Sequence, residues 1–200
     1  IQQFRLEYQD LLPNRGGMDV KYFRTGGRHY VVQSFEFSPG PLYELGAVIF
    51  DVTDRPDKMP EVARFVLPEH PGGMHNIFIY KHSDGNIYLL ATVRGDMVQV
   101  FDLRKAVSGQ IEDSYVATIP THEPESVRRS YHDHYVAWHP DSGQDRFYGG
   151  GSGGYYVYDI TDIHDPKILV TLQNVAGVSW GHTFTPSPDG RYVVAEAEYQ

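Results

Sequence analysis

The chain of 200 residues contains no cysteine. Disulfides, thiolate-ligated zinc and cysteine nucleophiles are therefore excluded. The redox compartment is not, because a cysteine-free chain is stable in any of them. Basic residues are scarce as well, 17 Lys and Arg against 26 Asp and Glu, for a net charge of −9. So few and so scattered cations leave no electrostatic footprint for nucleic acid, and anionic membrane surfaces should repel the chain. Long apolar runs are missing too. "IYLLATV" (87–93) is strand-sized, far short of the about 20 residues a transmembrane helix needs. The first residue is Ile and no signal peptide is visible, which reads as a processed protein or a fragment.

What is plentiful points to β-structure broken by turns: 15 Tyr, 20 Gly and 13 Pro. The strands recur. "VIFDVTD" (48–54), "VQVFDLRK" (98–105) and "YYVYDITD" (155–162) are alternating strands that each end in an aromatic–Asp pair. Their aspartates, Asp51, Asp102 and Asp159, stand 51 and 57 residues apart. Asp suits this place because its side chain accepts hydrogen bonds from backbone N–H groups of a turn. A second recurring element is "GGMDVKYFRT" (16–25), "GGMHNIFIY" (72–80), "SYHDHYVAW" (130–138) and "GVSWGHTFTP" (177–186). Three of these lead into an Asp/Gly turn and an aromatic-rich strand.

The unit is thus four strands over about 40–55 residues, the size of a β-propeller blade. The expected fold is all-β, a propeller of four-stranded antiparallel blades at about 16–68, 72–120 and 130–174. Residues 1–15 and 177–200 would be partial blades, the first ending on the last strand of one blade and the second supplying two strands of another. Partial blades leave open sheet edges, so the expectation is one domain cut from a larger ring, with seven blades as the working number.

"IFDVTDRPDKMPEVARF" and "YVYDITDIHDPKILVTL" resemble the LVIVD-repeat family, and "HNIFIYKHSDGNIYLLAT" is similar to that family and its secreted choice-of-anchor relatives. The resemblance implies a propeller and an exported, periplasmic or secreted bacterial protein, with no defined activity. "FDLRKAVSG" departs from the family's Pro-turn pattern.

"SYHDHYVAWHP" (130–140) carries three histidines. Aligned by unit, His75, His134 and His182 each start an innermost strand, seven to nine residues before the Asp of the next turn. In a propeller such positions ring the central channel. Three imidazoles with Asp19 at the fourth repeat position supply nitrogen and oxygen donors suited to zinc, copper or iron. His132, two residues before His134, should share its strand face and add a ligand, or Asp133 should orient a neighbour. His139 should face the other way and sit in a turn. Equally open is a structural role, each histidine donating to a backbone carbonyl and bracing blade to blade.

"GGGSGGYYVYD" satisfies both G-x-S-x-G and G-x-G-x-x-G, but each needs a helix after the glycines and a strand follows. It reads as a hairpin. Arg94–Asp96 ("RGD") reads as a turn, and His29, His70, His122 and His164 have no repeat partners. Trp138 and Trp180 flank the aligned histidines as packing residues or pocket walls. Two functions are expected from this. One is an exported non-catalytic propeller, a scaffold or binding module engaging a protein partner through one face. The other is a metal-dependent, oxidoreductase-type enzyme using the histidine ring.

Overall fold

The computed structural model describes residues 17–36, 45–54, 59–70, 72–93, 97–121 and 131–199. Within them the protein is all-β, in four consecutive antiparallel sheets. The first runs β1 (Gly17–Thr25), β2 (Arg28–Phe35), β3 (Leu45–Asp51) and β4 (Glu61–Val66). The second runs β5 (Met74–Lys81), β6 (Ile87–Val93), β7 (Met97–Asp102) and β8 (Tyr115–Pro120), with a short helix α1 (Leu103–Val107) before its last strand. The third runs β9 (Tyr131–His139), β10 (Gln144–Gly151), β11 (Gly154–Asp159) and β12 (Lys167–Gln173). The fourth is the pair β13 (Trp180–Pro186) and β14 (Val193–Tyr199). Each four-stranded sheet is a meander in chain order, which tight turns between antiparallel neighbours produce. The segment expected as a partial blade at 1–15, the Arg94–Asp96 turn and His122 lie outside the described residues. No helix among the described residues is long and apolar enough to cross a membrane.

The sheets stack face to face, and alternation within a strand decides which neighbour each side chain meets. On β6, Leu89, Ala91 and Val93 pack toward the first sheet, with Val32, Ile49 and Phe65. Tyr88 and Leu90 pack toward the third, with Val136, Phe147 and Tyr156. A central strand buried on both faces has no polar side, which is why "IYLLATV" reads as a continuous apolar run. Each fully buried Leu contributes about 1.5–3 kcal/mol. The innermost strands follow one another in space as in sequence, β1 beside β5, β5 beside β9 and β9 beside β13.

The repeated Asp makes the same turn in all three four-stranded sheets. Asp51 Oδ1 accepts the Thr53 N–H at 2.9 Å, Asp102 Oδ1 the Arg104 N–H at 2.8 Å, and Asp159 Oδ1 the Thr161 N–H at 2.9 Å. In the second sheet the same hydrogen bond caps a helix, since Asp102 is the N-cap of α1. That helix is the physical form of the departure seen in "FDLRKAVSG".

Candidate functional site

Every innermost strand carries the same irregularity near its start. Gly17 pairs with Phe35 and Val20 with Gln33; Met74 pairs with Val93 and Ile77 with Ala91. Tyr131 pairs with Gly151 and His134 with Gly149, and Gly181 pairs with Ala197 and Phe184 with Ala195. In each sheet three steps on the inner strand oppose two on its partner, the signature of a β-bulge, which breaks the two-residue alternation and re-aims a side chain.

The bulge sets the true alignment. Met18, His75, His132 and His182 hold one position; Asp19, Asn76, Asp133 and Thr183 hold the next; Val20, Ile77, His134 and Phe184 the one after. The expected ring of His75, His134, His182 and Asp19 is therefore corrected. His132, not His134, stands in register with His75 and His182, and Met18 stands where Asp19 was expected. The expectation that His132 and His134 share a face fails for the same reason: His132 is itself the unpaired residue, between Tyr131, which faces Gly151, and Asp133, which faces Gly150.

The three aligned imidazoles come together. The rings of His75 and His132 meet edge to face with centroids 4.6 Å apart, and those of His132 and His182 lie tilted at 4.1 Å. Carboxylates flank the group at both ends. His75 Nδ1–H donates to Glu36 Oε2 at 2.7 Å, and Glu198 Oε2 lies 3.4 Å from His132 Nε2. Glu36 follows Phe35 just past the end of β2, where it bridges to Gly73, and Glu198 follows Ala197 on β14. His182 Nδ1 is hydrogen-bonded to Thr183 Oγ1 at 2.8 Å. His132 Nδ1 is buried with no hydrogen-bond partner.

Electrostatics separate the rings. The hydrogen bond donated to Glu36, opposed by burial and aided by the Glu36 charge, raises the His75 pKa above its ordinary value. Burial, followed by the neighbouring His182 and His75, lowers that of His132.

His134 and Asp19 have other work. His134 is 4% exposed, stacks on Phe147 at 5.4 Å and donates from Nε2–H to the Leu90 carbonyl at 3.2 Å. Burial drives its pKa down to about 4. This is the bracing role weighed for all the histidines, and it bridges the third sheet to the second. Asp19 Oδ2 accepts the Ile77 N–H at 3.2 Å, and both its oxygens take Lys21 Nζ at 2.6 Å. Asn76, at the equivalent position, donates to the His132 carbonyl at 3.3 Å. Asp19 and Asn76 thus tie the first sheet to the second and the second to the third, and the Ser34 hydroxyl adds a bond to the His75 carbonyl at 3.1 Å.

The glycine run of β10 belongs to the same junction. A Cβ on Gly150 would sit 2.1 Å from the His182 carbonyl oxygen, and one on Gly149 would meet the Tyr131 ring at 2.4 Å. Gly150 lets β13 approach β10 closely, and Gly149 makes room for the Tyr131 ring of β9. Ser152 lies in the hairpin to β11, with a strand and no helix after it, as the sequence led us to expect. His139 ends β9, its Nδ1 hydrogen-bonded to the Ser142 hydroxyl at 2.9 Å in the turn. Trp138 is exposed and Trp180 is half-buried.

Among the described residues no three His, Asp or Glu side chains have donor atoms gathered closely enough to hold an ion as they stand. The His75 and His132 centroids, 4.6 Å apart, are at co-ligand spacing, and those of His132 and His182, at 4.1 Å, are closer than that. With a metal–nitrogen bond of about 2.0–2.1 Å, two imidazoles on one ion have centroids about 4.5–5.5 Å apart. No family model matches the chain, and no curated protein matches it significantly.

Proposed function

We propose that the chain is part of an LVIVD-like β-propeller whose inner-strand histidines bind a transition metal, giving an exported protein with oxidoreductase-type chemistry. The observation that carries this reading is the meeting of His75, His132 and His182 from three successive sheets. Structural repeats account for their common register. His132 Nδ1, like His134 Nδ1 and Trp180 Nε1, is buried with no hydrogen-bond partner, which leaves it available as a donor atom among the imidazoles. The donor set fits zinc, copper or iron. His75, His132 and His182 would hold the ion. Glu36 fixes the His75 tautomer so that Nε2 is the free nitrogen, the carboxylate–histidine arrangement common at metal centres. A bound transition metal would supply Lewis acidity or an accessible redox couple. The consecutive placement of β1, β5, β9 and β13 supports a radial arrangement of blades around an axis on which these side chains converge.

The test is elemental analysis of chelator-free, untagged protein beside His132→Ala and His134→Ala. Near-stoichiometric metal that is lost in His132→Ala and kept in His134→Ala supports the reading. Absence of metal from the wild type, after reconstitution with zinc, copper and iron, overturns it.

A second reading, a non-catalytic propeller binding a protein partner through one face, is favoured by a different observation. Ile168, Leu169, Val170 and Leu172 are all exposed along β12, with Tyr192 and Val194 exposed on the adjoining pair. Contiguous exposed apolar surface marks interaction sites. Metal-free protein whose His132→Ala form is merely less stable would favour it.

A further inference from the structure

Between the outer strands of the first and second sheets lies a cleft of about 580 Å³, remote from the histidine group in its lining residues. Small-molecule sites run to about 300–1,000 Å³. One difference within the repeat explains why the space is there. Val48, Gln99 and Tyr156 each stand three residues before the repeated Asp. Each holds the same register against the preceding strand, opposite Gln33, Ala91 and Gly149. Tyr156 has no exposed surface and packs with Leu90, Val98 and Ile119, so its ring fills the junction of the second and third sheets. Gln99 takes that place in the second sheet and lines the cleft. Its side chain carries no ring, and the space that tyrosine fills in one junction stays open in the other.

The lining is aromatic and acidic. The rings of Phe65 and Phe101 lie with centroids 4.7 Å apart, and Tyr115 stands edge to face with Phe101 at 6.0 Å. Gln99 Nε2 donates to His70 Nε2 at 3.2 Å, which puts a buried amide and an imidazole beside the rings. Glu69 and Glu112 line the cleft as well, and neither is paired with a cation among the described residues. The guanidinium there, that of Arg64, is taken by Glu61 through Nε and one terminal nitrogen, each at 2.8 Å. An aromatic ring therefore meets ring partners, and a cation meets uncompensated negative charge. We propose that this cleft binds an arylalkyl ammonium, a primary amine on a short chain carried by one aromatic ring. The ring takes the place that Tyr156 fills in the next junction, and the ammonium is held by Glu69 and Glu112. A carboxylate on the same ring is repelled by those residues, and an aliphatic amine leaves the aromatic lining uncovered. This site is independent of the metal reading above.

The experiment is calorimetric titration of the chain at pH 7 with phenethylamine, phenethyl alcohol, hydrocinnamate and butylamine. It is run on wild type, on Gln99→Tyr and on the Glu69→Gln, Glu112→Gln double variant, with far-UV circular dichroism to verify each fold. Wild type should bind phenethylamine about tenfold or more tighter than hydrocinnamate, with the alcohol between them. The double variant should weaken phenethylamine by about fivefold and leave the alcohol within about twofold of wild type. Gln99→Tyr gives this junction the side chain of the next one and should abolish binding of all the aromatic probes. Ile111→Trp, on the segment between α1 and β8, blocks the cleft from a different side and replaces Gln99→Tyr if that variant does not fold. Wild type that binds no probe overturns the proposal, as does hydrocinnamate or butylamine binding as tightly as phenethylamine. Binding that survives in a folded Gln99→Tyr or Ile111→Trp puts the amine elsewhere and overturns the cleft. Equal weakening of amine and alcohol in the double variant overturns the role of the two carboxylates.

Discussion

Glu36 Oε2 lies 2.7 Å from His75 Nδ1, tying the segment just after β2 to β5, the first strand of the next sheet. The contact fixes which imidazole nitrogen carries the proton and holds the ring in place. Glu36→Gln keeps the shape and removes the charge. It should weaken metal binding by about 10–100-fold while leaving stoichiometry intact. Isothermal titration with the preferred ion checks this; unchanged affinity would separate Glu36 from the centre.

Gly150→Ala tests the junction from below. Its new Cβ would collide with the His182 carbonyl, which is backbone and cannot swing aside. We expect a loss of about 1–3 kcal/mol in urea unfolding, the range for overpacking. Metal binding should fall in parallel, because His182 moves away from His132. A variant as stable as wild type with full metal binding would show that the approach of β13 to β10 is looser than described.

The strands were legible in the sequence because alternation and turn residues carry them. The inner strand expected at 72–80 forms as Met74–Lys81, and the last strand of the first unit forms where "EVARFVL" lies. The alignment of the histidines was not legible. A bulge adds one residue without a compositional mark, and counting back from each turn cannot detect it. Hence His134, seven residues before Asp141 just as His182 is before Asp189, was taken for its equivalent. Glu36 and Glu198 were missed because their partners are on other sheets. The available signal was their place one residue beyond the partners of Gly17 and Gly181, just past β2 and on β14. The helix α1 was unreadable for a different reason, since five residues are too short for a periodic pattern to emerge.

A buried network elsewhere predicts a purely structural loss. Asp145 has no exposed surface. It accepts hydrogen bonds from the Tyr80 hydroxyl at 2.6 Å and from the Ser83 hydroxyl, and lies 3.2 Å from His82 Nε2. Tyr80, Ser83 and His82 belong to the second sheet and its first turn, so Asp145 clamps the second sheet to the third. Asp145→Ala strands these donors in a buried site and should cost on the order of 3 kcal/mol. Chemical denaturation measures it, and metal stoichiometry should not change.

Acid should unlock the repeated turns. Burial raises the Asp51 pKa, but the bonds from Thr53 and Arg28 outweigh it and hold the carboxyl below its ordinary value. For Asp159, burial is likewise outweighed by Thr161 and Gln144. Carboxyls depressed in the folded state bind fewer protons there than in the unfolded chain, so their stabilisation is fully present above the ordinary carboxylate pKa. It is lost as pH falls below about 4 and through the folded-state values. Unfolding midpoints measured from pH 7 to pH 2.5 should fall below about pH 4. The Asp51→Asn, Asp159→Asn double variant should show a shallower fall.

The recurring bulge is built from backbone pairing and owes nothing to the side chain it presents. Each innermost strand therefore offers an interchangeable seat, filled here by thioether once and by imidazole three times. Exchanging occupants would change the chemistry where these strands meet while the sheets kept their register. Such a scaffold can change its reactivity one residue at a time without first solving a new folding problem.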